Sequence, residues 1–355
     1  MARGSRSAGE IRERAFHAWL ASHLPAGHVG PLPLGDDAAA LPAPRDRVAV
    51  LSTDALVEGT HFLPESPPRA VGAAASAVTL SDLAAKGARP AALLLAIVLP
   101  PGTPARWAAE VARGAESMAT RHGAHIVGGD TKPGPVRTVV SAGLGWGRAG
   151  HLAPRSGARP GDVLVHTGWV GRGGVAAALL AHRPAPRSRA RALGEILDVR
   201  PRVAEGLALA PLAHAMLDTS DGLAEASRLL AEASRVRVIV EESALPLAPG
   251  LRKLGRSAAA RRAIALYGGD YELLAALAPR EVERARRAVR RSGGTLSRIG
   301  SIVRGRGAWL VHDGGPEPMP PAGWRPFEPA PAPPADACRA TARHVYRVEP
   351  SHSLR

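Results

Sequence analysis

The sequence predicts an α+β protein made of two comparable halves. Three observations carry this reading. The chain is 355 residues long, strand-like apolar runs alternate with Ala-rich helical patterns, and a Gly/Pro-rich break, HLAPRSGARPGD, occupies residues 151–162. At roughly 100–200 residues per domain, this length suits two hydrophobic cores. Hydrophobic residues make up 45% of the chain and charged residues 22%, the usage of an ordinary globular protein.

In the first half, Val48–Ser52, Ala92–Leu99, Ala124–Val127 and Thr138–Gly145 read as strands. Arg69–Lys86 and Pro104–Arg121 place apolar residues at helical spacing. After the break, Val163–Thr167, Ala215–Leu217, Val236–Glu241, Tyr271–Ala278, Leu296–Val303 and Ala308–His312 read as strands. Val170–His182, Arg202–Leu212, Ala224–Ser234 and Arg280–Ser292 read as helices. The expected units are residues 1–150, residues 151–327 and a tail over 328–355. The tail opens on EPAPAPPA, a composition that keeps a chain extended and unpacked.

Composition excludes several function classes. The single cysteine, Cys338, rules out a disulfide framework and a Cys-cluster metal site. The first residues carry arginines without an apolar signal segment, and the most apolar run, Ala91–Pro100, is too short to span a bilayer. A soluble, cytoplasmic protein without a membrane partner is expected. The formal charge is +15, almost all of it arginine, since the lysines are Lys86, Lys132 and Lys253. No zinc-finger spacing or RNA-binding aromatic motif accompanies this charge, and aromatic residues are only 3% of the chain, so no specific nucleic-acid partner is expected.

The chemistry-bearing feature is a series of aspartates: Gly35-Asp36-Asp37, Ser52-Thr53-Asp54, Ser81-Asp82, Gly129-Asp130-Thr131 and Asp218-Thr219-Ser220-Asp221. Singly, each suits a turn or a helix N-cap. Most follow a strand-like run, however, which predicts carboxylates gathered along one edge of a sheet. Converging carboxylates resist joint ionisation unless cations neutralise them. Asp, Ser and Thr oxygens without paired His or Cys favour Mg²⁺, which keeps positions for water and phosphate oxygens. Phosphate-loop, dinucleotide-fold and protein-kinase motifs are absent from the sequence. The run Gly168-Trp169-Val170-Gly171-Arg172-Gly173-Gly174 precedes a helix; it could present amides to an anion or simply serve a turn.

In order along the chain, LGDDAA, LSTDALVEGTHF, LSDLAAKGARP, VGGDT, RSGARPGD, DTSDGL, GGDYELL and GW-x-x-F resemble the thiamine-monophosphate kinase family. That family lies within the aminoimidazole-ribonucleotide-synthetase-like superfamily. The resemblance implies a two-domain, PurM-like α+β fold, with an N-terminal mixed α/β domain that contributes strands to a dimer barrel and a C-terminal α+β domain. It implies ATP-dependent conversion of thiamine monophosphate to thiamine diphosphate, with several Mg²⁺ ions and a homodimer. It further implies metal ligands at Asp37, Ser52, Thr53, Asp54, Asp82, Asp130, Asp218 and Asp221. ATP contacts are implied at Gly129, Asp130, Arg155 and Ser220, and substrate contacts at His61 and Trp324.

An acceptor that is already a phosphate oxygen needs no strong general base, so no side chain is expected as a nucleophile. Bringing two polyanions together is the barrier: two unit charges at 4 Å repel by about 4 kcal/mol at an effective dielectric of 20. Metal ions offset that repulsion, and Arg155 and Lys132 are expected to add positive charge.

One departure bears on specificity. The family's usual GGEDYEL reads Gly268-Gly269-Asp270-Tyr271-Glu272-Leu273 here, so the Glu that the resemblance implies as a substrate contact is deleted or replaced by Gly269. Asp270 is the candidate to replace it in part. Two other readings are a diverged relative acting on another phosphate ester and a non-catalytic basic binding protein.

Overall fold

A computed structural model describes residues 39–42, 46–181, 186–254 and 257–324. Asp37, Phe327, Cys338 and the Pro/Ala-rich tail lie outside the described residues. The first sheet contains β1 (Ala39–Pro42), β2 (Arg47–Val57), β3 (Arg89–Leu99), β4 (His125–Pro133) and β5 (Thr138–Arg148), in the order β1-β2-β5-β3-β4. Only β3 and β4 pair in parallel. Helices α1 (Pro68–Ala85) and α2 (Ala105–Arg121) cover one face. Val50, Leu93, Leu95 and Val139 of the strands meet Val71, Leu80 and Leu83 of α1 and Val111 of α2 in one core. The opposite face leaves Leu94, Trp146 and Val127 exposed.

Helix α1 is rich in Ala, Gly and Ser because it is buried almost all round, from Val71 to Ala85. Small residues let backbones approach: a Cβ at Gly72 would lie 1.8 Å from the Val111 carbonyl oxygen of α2. Gly72→Ala therefore forces α1 and α2 apart.

The second sheet contains β6 (Val163–Thr167), β7 (Ala213–Asp218), β8 (Arg237–Glu241), β9 (Leu273–Leu277), β10 (Leu296–Val303), β11 (Gly307–His312) and β12 (Gly315–Pro318). Its order is β12-β11-β8-β10-β6-β9-β7. The central strands β6 and β9 are buried on both faces and read as unbroken apolar runs. Around this sheet lie α3 (Arg172–Ala181), α4 (Pro186–Leu197), α5 (Val203–Leu209), α6 (Leu223–Ser234), the single turn α7 (Leu251–Leu254), α8 (Ala258–Ala265) and α9 (Val282–Arg291).

The expected strands are present, with shifted ends. Helix α3 begins at Arg172 rather than Val170, and α5 ends at Leu209. Strands β1 and β12 and helices α4 and α8 were not anticipated. PRSRARALGEIL in α4 is mostly Arg and Ala, a composition whose apolar face is too sparse to read from the sequence.

The two sheets meet through α1. Ala85 at its end packs with Met216, Leu273 and Leu277 of the second sheet. Lys86, fully buried, donates from Nζ to the Met216 carbonyl at 3.0 Å. A Cβ at Gly206 of α5 would lie 2.1 Å from the Ala84 carbonyl oxygen, so glycine is required at this helix crossing. No described helix is long and apolar enough to cross a membrane.

Candidate active site

On β2, Val48, Val50 and Leu56 are buried, and the same alternating row contains Ser52 and Asp54. Polar residues thus interrupt a core-facing row opposite α1. Ser52 Oγ donates to Asp82 Oδ2 on α1, and Ser81 Oγ donates to Asp218 Oδ2 at the end of β7, at 2.7 Å. Ser220 Oγ also donates to Asp218, at 3.3 Å. Asp54 Oδ1 accepts from the Ala55 amide at 2.6 Å.

These carboxylates also act electrostatically on Tyr271. Burial pushes its phenol pKa well up, and Asp54, Asp218, Asp221 and Asp82 push it further. Two of these carboxylates come from the first sheet and its helix, one ends β7 (Asp218) and one lies in the turn before α6 (Asp221). The expectation that they line one sheet edge is therefore corrected: Asp54 sits within a strand, Asp82 within a helix, and Asp218 and Asp221 follow a strand of the other sheet. The crowded oxygen donors suit a hard divalent cation, which would relieve their repulsion. Among the described residues, no three His, Cys, Asp or Glu side chains close on a single point as a preformed cage.

Two implied ligands are placed differently. Thr53 faces away from Ser52 and Asp54, with its hydroxyl donating to the Ser141 carbonyl at 3.1 Å. Asp130 lies on exposed strand β4, separated from β2 by β5 and β3, about 14 Å across the sheet at ordinary strand spacing. Lys132 Nζ donates to Asp130 at 2.9 Å, and this bond, with the Thr131 amide, lowers the Asp130 pKa. Gly129 is exposed on the same strand. Lys132 thus pairs with Asp130, away from the carboxylates around Tyr271. Half-buried Arg155 follows Pro154, whose carbonyl accepts from the Met216 amide at 2.9 Å, which ties Arg155 to the strand ending in Asp218.

The two implied substrate contacts come together from opposite ends of the chain. His61 and Trp324, both half-buried, have ring centroids 5.9 Å apart at an interplanar angle of 52°. The Val57 amide donates to His61 Nδ1 at 3.1 Å, and burial lowers the ring's pKa. The imidazole is therefore neutral, with its proton on Nε2.

Comparisons with known proteins identify the family. Residues 35–149 match the AIR synthase related protein N-terminal domain, and residues 159–312 match the C-terminal domain. The thiamine-monophosphate kinase of Synechococcus elongatus is 34% identical over 77% of this chain and 84% of its own length. That of Halobacterium salinarum is 37% identical over 79% and 93%. The chain belongs to the thiamine-monophosphate kinase family. Among solved structures, AaThiL complexed with AMPPCP and TMP superposes with a TM-score of 0.79, at 25% identity over 92% of this chain and all of that one. The protein tt0281 from Thermus thermophilus gives 0.75 at 35% identity, covering 86% and 98%.

Asp270 does not stand in for the missing Glu. It is buried, with Oδ2 accepting from the Gly171 amide at 2.7 Å and Oδ1 from the Gly173 amide at 2.9 Å. The glycine loop and the first turn of α3 thus give those amides to a carboxylate of the protein itself. Burial pushes the Asp270 pKa up to about 7. Glu272, also buried, is held by Thr167 Oγ1 at 2.7 Å and Arg202 Nε at 2.7 Å. Tyr271 between them has φ +52°, a left-handed conformation that is costly for an aromatic residue and that aims its ring at the first core.

Sequence reasoning missed Ser81, Lys86, Tyr271 and the Arg202–Glu272 pair. Ser81 and Tyr271 lie inside motifs already singled out, next to acidic residues, and that adjacency was the available signal. Nothing local marks Arg202, whose partner is 70 residues away.

Proposed function

We propose that this chain transfers the terminal phosphoryl group of ATP to thiamine monophosphate, forming thiamine diphosphate. The observation that carries this reading is the pair of serine bonds at the end of α1, Ser52 to Asp82 and Ser81 to Asp218, which bring carboxylates of both halves to one place. His61 and Trp324 supply a second, aromatic wall.

Asp54, Asp82, Asp218 and Asp221, with Ser52, are assigned to hold Mg²⁺, and Asp37, Thr53 and Asp130 are the remaining members of the implied set. When bound there, Mg²⁺ would supply positive charge that offsets the repulsion between the two phosphate-bearing reactants. The chain's own residues supply the positioning. Ser81 fixes Asp218, and Ser52 fixes Asp82, so that carboxylates from both halves keep their separation. Arg155 and Ser220 are assigned to ATP, and Gly129 and Asp130 are proposed to meet it from β4. Neutral His61 offers an Nε2–H donor, and Trp324 an aromatic face suited to a cationic heterocycle. Since the acceptor oxygen is already ionised, no general base is assigned.

The assignment of residues 1–150 and 151–327 as the two domains accompanies this reading. So does a homodimer, supported by the exposed apolar face with Leu94, Val127 and Trp146. The test is a coupled assay with ATP, Mg²⁺ and thiamine monophosphate, in which thiamine diphosphate is identified by mass. Turnover with another phosphate ester but not with thiamine monophosphate would reject the substrate. No ATP turnover with any acceptor would reject the kinase reading.

A further inference from the structure

We propose that Arg228 is a positioning residue for the substrate and acts through Trp324, by clamping the backbone that carries this ring to His61. The proposal rests on the reading of His61 and Trp324 as the substrate wall.

Arg228 lies on α6, the helix that starts just after Asp221. Its guanidinium donates from Nη2 to the Met319 carbonyl at 3.1 Å and to the Pro320 carbonyl, and from Nη1 to the Ala322 carbonyl at 3.5 Å. Glu225, one turn earlier, holds Nη1 at 2.9 Å and fixes the fork in place. A guanidinium presents five donors in one plane, a shape that suits several carbonyls at once.

Strand pairing holds only the start of the clamped segment: the Met319 amide donates to the Ala308 carbonyl at 2.9 Å, and Pro320 and Pro321 then lack amide hydrogens to continue the ladder. The backbone then turns at Gly323, φ +107°, where a Cβ would lie 2.4 Å from the Asp221 carbonyl oxygen. Only after this turn does the Trp324 amide reach that same carbonyl, at 3.0 Å. One helix thus links the carboxylate turn at its start to the aromatic wall.

The test measures kcat and both KM values for the full chain and for Arg228→Ala, Arg228→Lys, Trp324→Ala and the Arg228→Ala/Trp324→Ala double variant. Arg228→Ala is expected to raise KM for thiamine monophosphate about tenfold, with kcat and KM for ATP within about twofold. The double variant is expected to be no worse than Trp324→Ala alone, because the arginine acts through the ring. Arg228→Lys keeps charge and length without the fork and is expected to recover only part of the loss. If Arg228→Ala does not fold, Arg228→Lys decides: an unchanged KM for thiamine monophosphate overturns the clamp. An additive double variant, or equal losses for both substrates, overturns it as well. If Trp324→Ala leaves KM for thiamine monophosphate unchanged, the substrate reading of that ring fails and the clamp falls with it. A raised KM in Trp324→Ala with none in Arg228→Ala removes the clamp alone.

Discussion

Ser81 and Asp218 join the two halves of the molecule: the serine hydroxyl on α1 donates to the carboxylate ending β7, at 2.7 Å and with both residues buried. The two side chains lie 137 positions apart in the chain. The bond fixes a proposed metal ligand of the second sheet against the helix that carries Asp82. Ser81→Ala leaves a buried carboxylate oxygen short of a donor. It is expected to lower the unfolding free energy by about 1–2 kcal/mol, measured by urea titration, and to lower kcat. Unchanged stability and kcat together would show that the contact matters to neither.

Asp82→Asn is expected to lower kcat/KM by roughly 100-fold or more, beyond what loss of an outer partner of a metal site costs. Circular dichroism should remain native. Recovery of the rate at high Mg²⁺ would place the defect in ion binding, whereas a native rate at low Mg²⁺ would remove Asp82 from the ligand set.

His61→Ala removes an Nε2–H donor and half of the aromatic wall. KM for thiamine monophosphate should rise about tenfold, equivalent to about 1.4 kcal/mol, while KM for ATP stays constant. Initial rates with each substrate varied in turn check this, and a change in the ATP constant alone would move His61 to the nucleotide side.

Asp270 sets a pH dependence of stability. Its folded pKa, raised by burial from 3.8 to about 7, lies above its unfolded value. The folded state therefore binds the extra proton, and Asp270's contribution is fullest below about pH 4 and lost as pH rises to about 7. Melting temperatures of the native chain and Asp270→Asn, compared across this interval, should shift against the native chain as pH increases. A constant difference would mean that the carboxylate stays ionised throughout.

Gly173→Ala tests how closely the first turn of α3 packs on the Gly268–Gly269 backbone before the DYE segment. The added Cβ would lie 2.1 Å from the Gly268 carbonyl oxygen, a backbone atom with little room to move. A loss of about 3 kcal/mol is expected by denaturant titration. A loss below about 1 kcal/mol would show that this turn relaxes freely.

Much of this molecule could be read from local pattern. Alternation in VAVLS and the apolar runs at residues 92–99 and 163–167 announced strands, because a buried sheet face selects residues by position along the strand. Helix α4 escaped notice because its apolar face is sparse, and β1 and β12, four residues each, are too short to show an alternation. The motifs named the carboxylates, His61 and Trp324, but not their grouping. Ser52 and Asp54 take the core-facing side of β2, whereas Thr53, between them, takes the other, a consequence of strand pleating that a motif read as a unit conceals.

By itself, the sequence determined the α+β class and the identity of the acidic and aromatic residues available for phosphate chemistry. Propensity, periodicity and residue type are properties of short segments. Only the tertiary structure decided that Asp270 is enclosed by the Gly171 and Gly173 amides and that Ser52 meets Asp82 while Ser81 meets Asp218. It likewise decided that Arg228 meets the carbonyls of residues more than 90 positions away. Those facts follow from how two cores dock through a helix of small residues, and distance in space is not encoded in any one stretch of chain.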